Sequence, residues 1–116
     1  MDPLKRLETD SSVSRLLSAW EMLRKVHREV PAQAVTMLLY VASHNPCHKQ
    51  AIEEDTGLTT ASSSRMITFL TSNGRPGVQH SGVALLQAEK DGRRLLLSLT
   101  PEGEAFAAQI RDLFSN

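Results

Sequence analysis

Residues 90–103 read KDGRRLLLSLTPEG. Lys90, Asp91 and Gly92 make a charged tip, residues 93–99 an apolar returning strand, and Thr100, Pro101, Glu102 and Gly103 the start of a helix. Asp91-Gly92 is the usual signal for a tight two-residue hairpin, so 83–88 is expected as the outgoing strand, with Lys90 to Gly92 as its turn. Thr100 is expected as the N-cap and Pro101 in the first turn, where its missing N–H costs nothing. A charged hairpin alone has many uses. Its meaning depends on what precedes it.

What precedes it is a pair of short helices. Residues 49–56 predict the first, closed by Gly57, whose type suits a left-handed C-cap. Leu58 turns back toward the core, and Thr59 or Thr60 caps a second helix running to about Ser72. On that helix Ser63, Met66, Ile67 and Leu70 recur at spacings of three and four and define an inward face. Thr60, Ala61, Ser64, Arg65 and Thr68 then point outward. Small hydroxyls let a backbone approach phosphates and base edges closely, Ala61 suits a thymine methyl, and Arg65 a guanine or a phosphate. The alternative is an ordinary solvated face, but this one is poor in Glu and Lys, the strong helix formers such faces favour. The groove-facing set is therefore Thr59, Thr60, Ala61, Ser62, Ser64, Arg65 and Thr68, with Lys90, Arg93 and Arg94 on the hairpin. A helix-turn-helix followed by a basic wing is a common holder of duplex DNA.

Working outward, residues 33–44 predict a central helix that is apolar on much of its circumference and is stopped by Asn45 and Pro46. Val13, Leu16, Leu17, Trp20, Leu23 and Val26 form one stripe of a helix capped by Ser11 or Ser12 and ended by about Glu29, ahead of Pro31. Phe106, Ile110, Leu113 and Phe114 form the stripe of the last helix. Residues 1–12 read as a frayed arm and 73–82, with three glycines and Pro76, as a long loop. The chain thus divides into the arm and one winged-helix domain over 13–116. Its helices at 13–30 and 101–116 are expected to join two copies around a DNA-binding core at 32–100. The expected joining residues are Leu16, Trp20, Leu23, Phe106, Ile110, Leu113 and Phe114.

With 116 residues, 41% of them apolar and 22% charged, the chain has the size and balance of one ordinary globular domain. No apolar run approaches the ~20 residues that span a bilayer, and the polar start lacks the layout of a secretory signal. A cytoplasmic location without membrane contact is expected. The formal net charge is zero, but it is unevenly spread. Residues 59–100 carry Arg65, Arg75, Lys90, Arg93 and Arg94 against only Glu89 and Asp91, while the segments on either side are acidic. Such a basic region can contact phosphates inside a neutral chain.

Together these residues resemble the MarR family of winged-helix transcription regulators over about 32–106. The likeness rests on Gly57-Leu58-Thr59, on Ser62-Ser63-Ser64-Arg65 beside the family's Thr-Val-Ser-Arg, and on the wing signature Asp-x-Arg followed by a strand ending Leu-Thr-x-x-Gly, met here by Asp91 to Gly103. The resemblance implies a homodimer joined through its terminal helices, recognition helices in major grooves and wings near minor grooves. It also implies that Arg93 approaches the minor groove with Asp91 orienting it. The chain departs from the family at Ser63, where Val or Ile is usual, and at Glu53, where Ala is usual. The loop at 73–82 is an insertion and the last helix is short. A buried serine can bond a carbonyl one turn back. Glu53 must reach solvent or a partner.

Other chemistry finds less support. His44, Cys47 and His48 lie close together but have no fourth metal ligand in view. Cys47, the single cysteine, rules out an internal disulfide, and a thiol-based oxidant sensor lacks an evident low-pKa setting apart from His48 and Lys49. No nucleophile elbow or phosphate loop is present, so no enzyme and no cofactor are expected. The expectation is a mainly α fold with a small β-hairpin, a winged helix-turn-helix. Its expected function is sequence-specific DNA binding as a homodimeric repressor on a pseudo-palindromic operator, with a small-molecule effector left open. A winged-helix protein adaptor or anti-regulator, or a replication or partition module, remain the alternatives.

Overall fold

The computed structural model describes residues 10–71 and 82–115. The expected arm falls largely, and the expected loop at 73–82 almost wholly, outside the described residues. Five helices and three strands follow in the order α1 (Ser11–Val26), α2 (Ala32–His44), β1 (Cys47–His48), α3 (Lys49–Thr56), α4 (Thr60–Thr71), β2 (Leu86–Asp91), β3 (Arg94–Leu99) and α5 (Pro101–Phe114). This is a mainly α winged helix-turn-helix with a small antiparallel sheet.

The first helix begins earlier than its serines suggest. Asp10, not Ser11 or Ser12, is the N-cap: its carboxylate accepts from the amides of Ser12 and Val13 at 2.9 and 3.2 Å. An ionised cap also suits the positive end of the helix dipole. The helix ends at Val26, three residues before the expected stop. Gly57 takes the predicted left-handed conformation at φ +78° and donates to the Glu53 carbonyl, closing α3.

The hairpin is shifted by one residue at its tip. Asp91 pairs with Arg94 across the strands, so the two turn residues are Gly92 and Arg93, and Gly92 supplies the positive φ of +65°. A glycine at the first turn position relieves the strain there, which displaces the expected Asp-Gly turn by one step. At the other end the outgoing strand starts at Leu86. Residues 83–85 instead run past the end of α4, where the Val83 and Leu85 amides donate to the Phe69 and Leu70 carbonyls at 2.8 and 3.0 Å. Carbonyls that a helix end leaves unpaired are satisfied in this way.

The strand order is β1-β3-β2, with β3 in the centre. The two-residue β1 was not foreseen, being too short for any periodicity. It pairs Cys47 with Leu97 and His48 with Leu96. Cys47, Leu97, Leu99 and Leu86 face the core with Met37, Leu38, Val41, Ile52, Ile67 and Leu70.

One corner locks the sheet to α5. Thr100 caps the helix, its hydroxyl accepting from the Gly103 amide at 3.0 Å and donating to the Ala84 carbonyl at 2.8 Å. Its own amide donates to the Leu85 carbonyl, and the Leu99 amide donates to the Asn45 side chain, both at 3.1 Å. Gly103 lies so close that a Cβ there would stand 2.0 Å from the Leu85 carbonyl oxygen. The glycine that ends the wing signature is thus a packing requirement.

Candidate nucleic-acid interface

On α4 the exposed residues are Thr60, Ala61, Ser64, Arg65 and Thr68, as the spacing predicts. Thr59 is also exposed, but its hydroxyl is engaged as the helix cap, accepting from the Ser62 amide at 3.0 Å. Ser62 departs from expectation. It is buried at 9% exposure, because it sits one turn before Met66 on the same inward-facing side. Its hydroxyl accepts from the Arg65 guanidinium at 3.2 Å. Ser62 therefore steadies Arg65 and leaves the groove-facing set. No Asp or Glu occurs on this helix.

The helix pair is held at its angle by an unusual polar contact. Ser63 is fully buried; its hydroxyl donates to Glu53 on α3 and also lies 3.1 Å from the Thr60 carbonyl oxygen. Glu53 also pairs with Lys49 at 2.6 Å. The two departures from the family pattern thus answer one another: the serine where an aliphatic residue is usual bonds the carboxylate where alanine is usual. Lys49 first, then Ser63, holds the Glu53 carboxyl below the ordinary carboxylate range against the opposing effect of burial.

A depressed folded pKa contributes stability that is complete above the unfolded value and is lost as pH falls through it toward the folded one. Acidification from about pH 5 to pH 3 should therefore lower the urea midpoint of the native chain more than that of Glu53→Gln. Parallel slopes for the two proteins would show that Glu53 carries no such linkage.

Alongside, Tyr40 on α2 donates to Asp55 on α3 at 2.5 Å. That bond to a carboxylate pushes the phenol up to about 12.

At the wing tip Arg93 stands at the turn, exposed, with no side-chain hydrogen bond or ion pair among the described residues. Lys90 and Arg94 are exposed as well. Asp91 does not orient Arg93 as the family resemblance implies. Its carboxylate is taken by His48, Nε2 to Oδ2 at 2.8 Å, and the other ring nitrogen of His48 lies 3.5 Å from an Arg94 guanidinium nitrogen. Sequence reasoning did not give His48 this place. Only the β1-β3 pairing brings residue 48 to the wing.

The same geometry separates His44 from Cys47 and His48. The His44 ring stacks on Tyr40 with centroids 4.2 Å apart and bonds the Tyr40 carbonyl and the Ser43 hydroxyl. Cys47 is buried beneath the sheet, and burial pushes its thiol up, away from the reactive thiolate. Among the described residues no group of three or more His, Cys, Asp or Glu is placed to hold a metal.

The expected joining residues divide in two. Leu23 and Phe106 are buried within the single chain, at 5% and 7% exposure. They belong to its core, because α1 and α5 pack together over α2 and turn these two inward. Leu16, Trp20 and Phe114 remain exposed, with Ile110 and Leu113 half-buried. Val13, Leu17, Val26 and Leu39 are exposed too, although the first three lie on the predicted apolar stripe. Between α1, α2 and α5 lies an apolar cavity of about 220 Å³, walled by Leu16, Trp20, Leu38, Leu39, Ile110 and Phe114 among others. No helix among the described residues is long and apolar enough to cross a membrane.

No family model matches the sequence, and none of the curated proteins does. Solved structures match its fold. Reduced AbfR bound to DNA superposes with a TM-score of 0.59 at 21% identity, over 88% of this chain and 66% of that one. The overoxidized AbfR bound to DNA gives the same score and identity over 88% and 70%. The PcaV transcriptional regulator from Streptomyces coelicolor, in complex with its natural ligand, gives 0.55 at 21% identity over 92% and 82%. The chain spans just under two thirds of the first of these proteins, and shares their fold.

Proposed function

We propose that this chain is a MarR-like transcription regulator: a homodimer that binds duplex DNA sequence-specifically and represses by occupying an operator. The observation that carries the reading is the pairing of two surfaces on one fold. The exposed face of α4 holds hydroxyls, an alanine and one arginine without a carboxylate, and the hairpin beside it in sequence order ends in an uncommitted Arg93. Two proteins of this fold, at low sequence identity, support it: AbfR, bound to DNA, and the PcaV transcriptional regulator. In this reading Thr60, Ala61, Ser64, Arg65 and Thr68 enter a major groove while Lys90, Arg93 and Arg94 follow the adjacent backbone and minor groove. Two copies related by a two-fold axis read a pseudo-palindrome with half-sites about one helical turn apart.

Selection of duplexes from a random pool, with the mass of the complexes measured, tests the class and the stoichiometry together. Two-fold symmetric sites carrying two chains are expected. With about six phosphate contacts, affinity should fall with salt at a log–log slope near −5, and Arg93→Ala should weaken binding about tenfold. Recovery of no preferred sequence would overturn the reading as a specific regulator. A flat salt response would point to a protein partner on the same surface.

A further inference from the structure

We propose that His48 is the positioning residue of the wing, and that it bridges Asp91 and Arg94 so that Arg93, between them, is left free at the tip to meet DNA. The inference rests on the DNA-binding reading above for its purpose, but its geometry belongs to the free protein.

The argument begins with register. His48 on β1 lies opposite Leu96 on β3, and Leu96 opposite Glu89 on β2. Residues directly opposite in antiparallel strands share a face, and so do residues two apart on one strand. His48, Leu96, Arg94, Glu89 and Asp91 therefore lie on one side of the sheet, away from Cys47 and Leu97. On this face the imidazole reaches along β3 to both residues that flank the Gly92-Arg93 turn. Its Nε2 is 2.8 Å from Asp91 and its Nδ1 3.5 Å from Arg94.

Only one neutral tautomer satisfies both contacts. Asp91 can only accept and Arg94 can only donate. The ring must then carry its hydrogen on Nε2, donating to Asp91, and present the lone pair of Nδ1 to Arg94. A hairpin tip held by backbone bonds alone is free to twist. Here a side chain rooted in the strand that leads directly into α3 holds both shoulders of the turn. His48 is partly covered, its side chain 26% exposed, while the Asp91 carboxylate it holds is 60% exposed. Arg94 and Asp91 are engaged with His48, and Arg93, between them, is not.

The substitution that separates positioning from simple packing is His48→Gln. A glutamine amide also offers an N–H donor and an oxygen acceptor, whereas His48→Ala offers neither. We expect His48→Ala to weaken binding to a selected duplex by about threefold to tenfold and His48→Gln to restore most of the loss, while the urea midpoints of both stay near that of the native chain. Equal loss in both variants, or no loss in His48→Ala, would overturn the proposal while leaving the DNA-binding reading intact. The free protein supplies an independent readout. At about pH 8, where an ordinary imidazole is neutral, nitrogen-15 spectra should show His48 protonated at Nε2 and bare at Nδ1, a preference weakened in Asp91→Ala, which removes the acceptor. Backbone relaxation at Gly92 and Arg93 should show faster motion in His48→Ala. A mixed tautomer in the native chain, or unchanged motion at the tip, would overturn the bridge even in a protein that binds no duplex.

Discussion

Gly103→Ala should destabilise the chain by about 3–5 kcal/mol, enough to remove much or all of the net stability of a domain this small. Helix propensity argues the other way, since alanine is favoured over glycine inside a helix by about 1 kcal/mol. Contact overrules propensity because the added carbon would stand 2.0 Å from the Leu85 carbonyl oxygen and 3.2 Å from Leu99 Cδ2. The oxygen cannot step aside, because it accepts the Thr100 amide at 3.1 Å. To make room, α5 must lift from the sheet or the Thr100 cap must break. Gly57→Ala and Gly92→Ala are the comparison: both glycines have positive φ but nothing within 4 Å of an added Cβ, so strain alone should cost about 1–2 kcal/mol at each. Urea denaturation of the three variants measures the difference. A Gly103→Ala protein as stable as the native chain would show that the corner is not closed.

The second large effect is expected on assembly. Leu16→Glu combined with Trp20→Glu should turn a dimer into a monomer and reduce affinity for a two-fold site by at least about a hundredfold. Two linked heads bind far more tightly than either alone, and a charge buried in an apolar contact without a partner is costly. Both residues are exposed in the protomer, at 59% and 43%, so the substitutions should leave its fold intact. Their neighbours Val13, Leu17, Leu39 and Phe114 are likewise uncovered. An exposed apolar surface of this kind on a small domain marks an interaction site. Sedimentation of the native and doubly substituted proteins, with binding to the selected duplex, checks both halves. A dimer that survives both charges would place the contact elsewhere.

The features legible in the sequence were those with a local cause. Gly57 marked the end of α3 because few other residues adopt its conformation cheaply, Thr100-Pro101 marked the start of α5 because each answers an unpaired backbone group, and the three- and four-residue spacing on α4 exposed the right five side chains. Features set by distant parts of the chain were not legible. The two strand residues of β1 carry no period, so the role of His48 depended on a pairing across 48 positions between residues 48 and 96. Ser62 looked like its hydroxylated neighbours until the width of the buried face was known. Leu23 and Phe106 share their composition with the exposed Leu16 and Phe114, and only the packing of α1 on α5 separates core from surface. Ser63 and Glu53 each looked like a departure. They became intelligible as a pair.

The central place of β3 has one more consequence. The strand is shared by the hairpin and, through β1, by the chain that runs straight into α3, so the wing and the helix pair are parts of a single stiff piece. The spacing between the two contacts proposed for DNA is thereby a property of one chain, like the jaw width of a fixed spanner. In the proposed dimer, whatever adjusts the grip has to change how two such pieces are set apart, and the apolar surfaces of α1 and α5 are where that setting would be made.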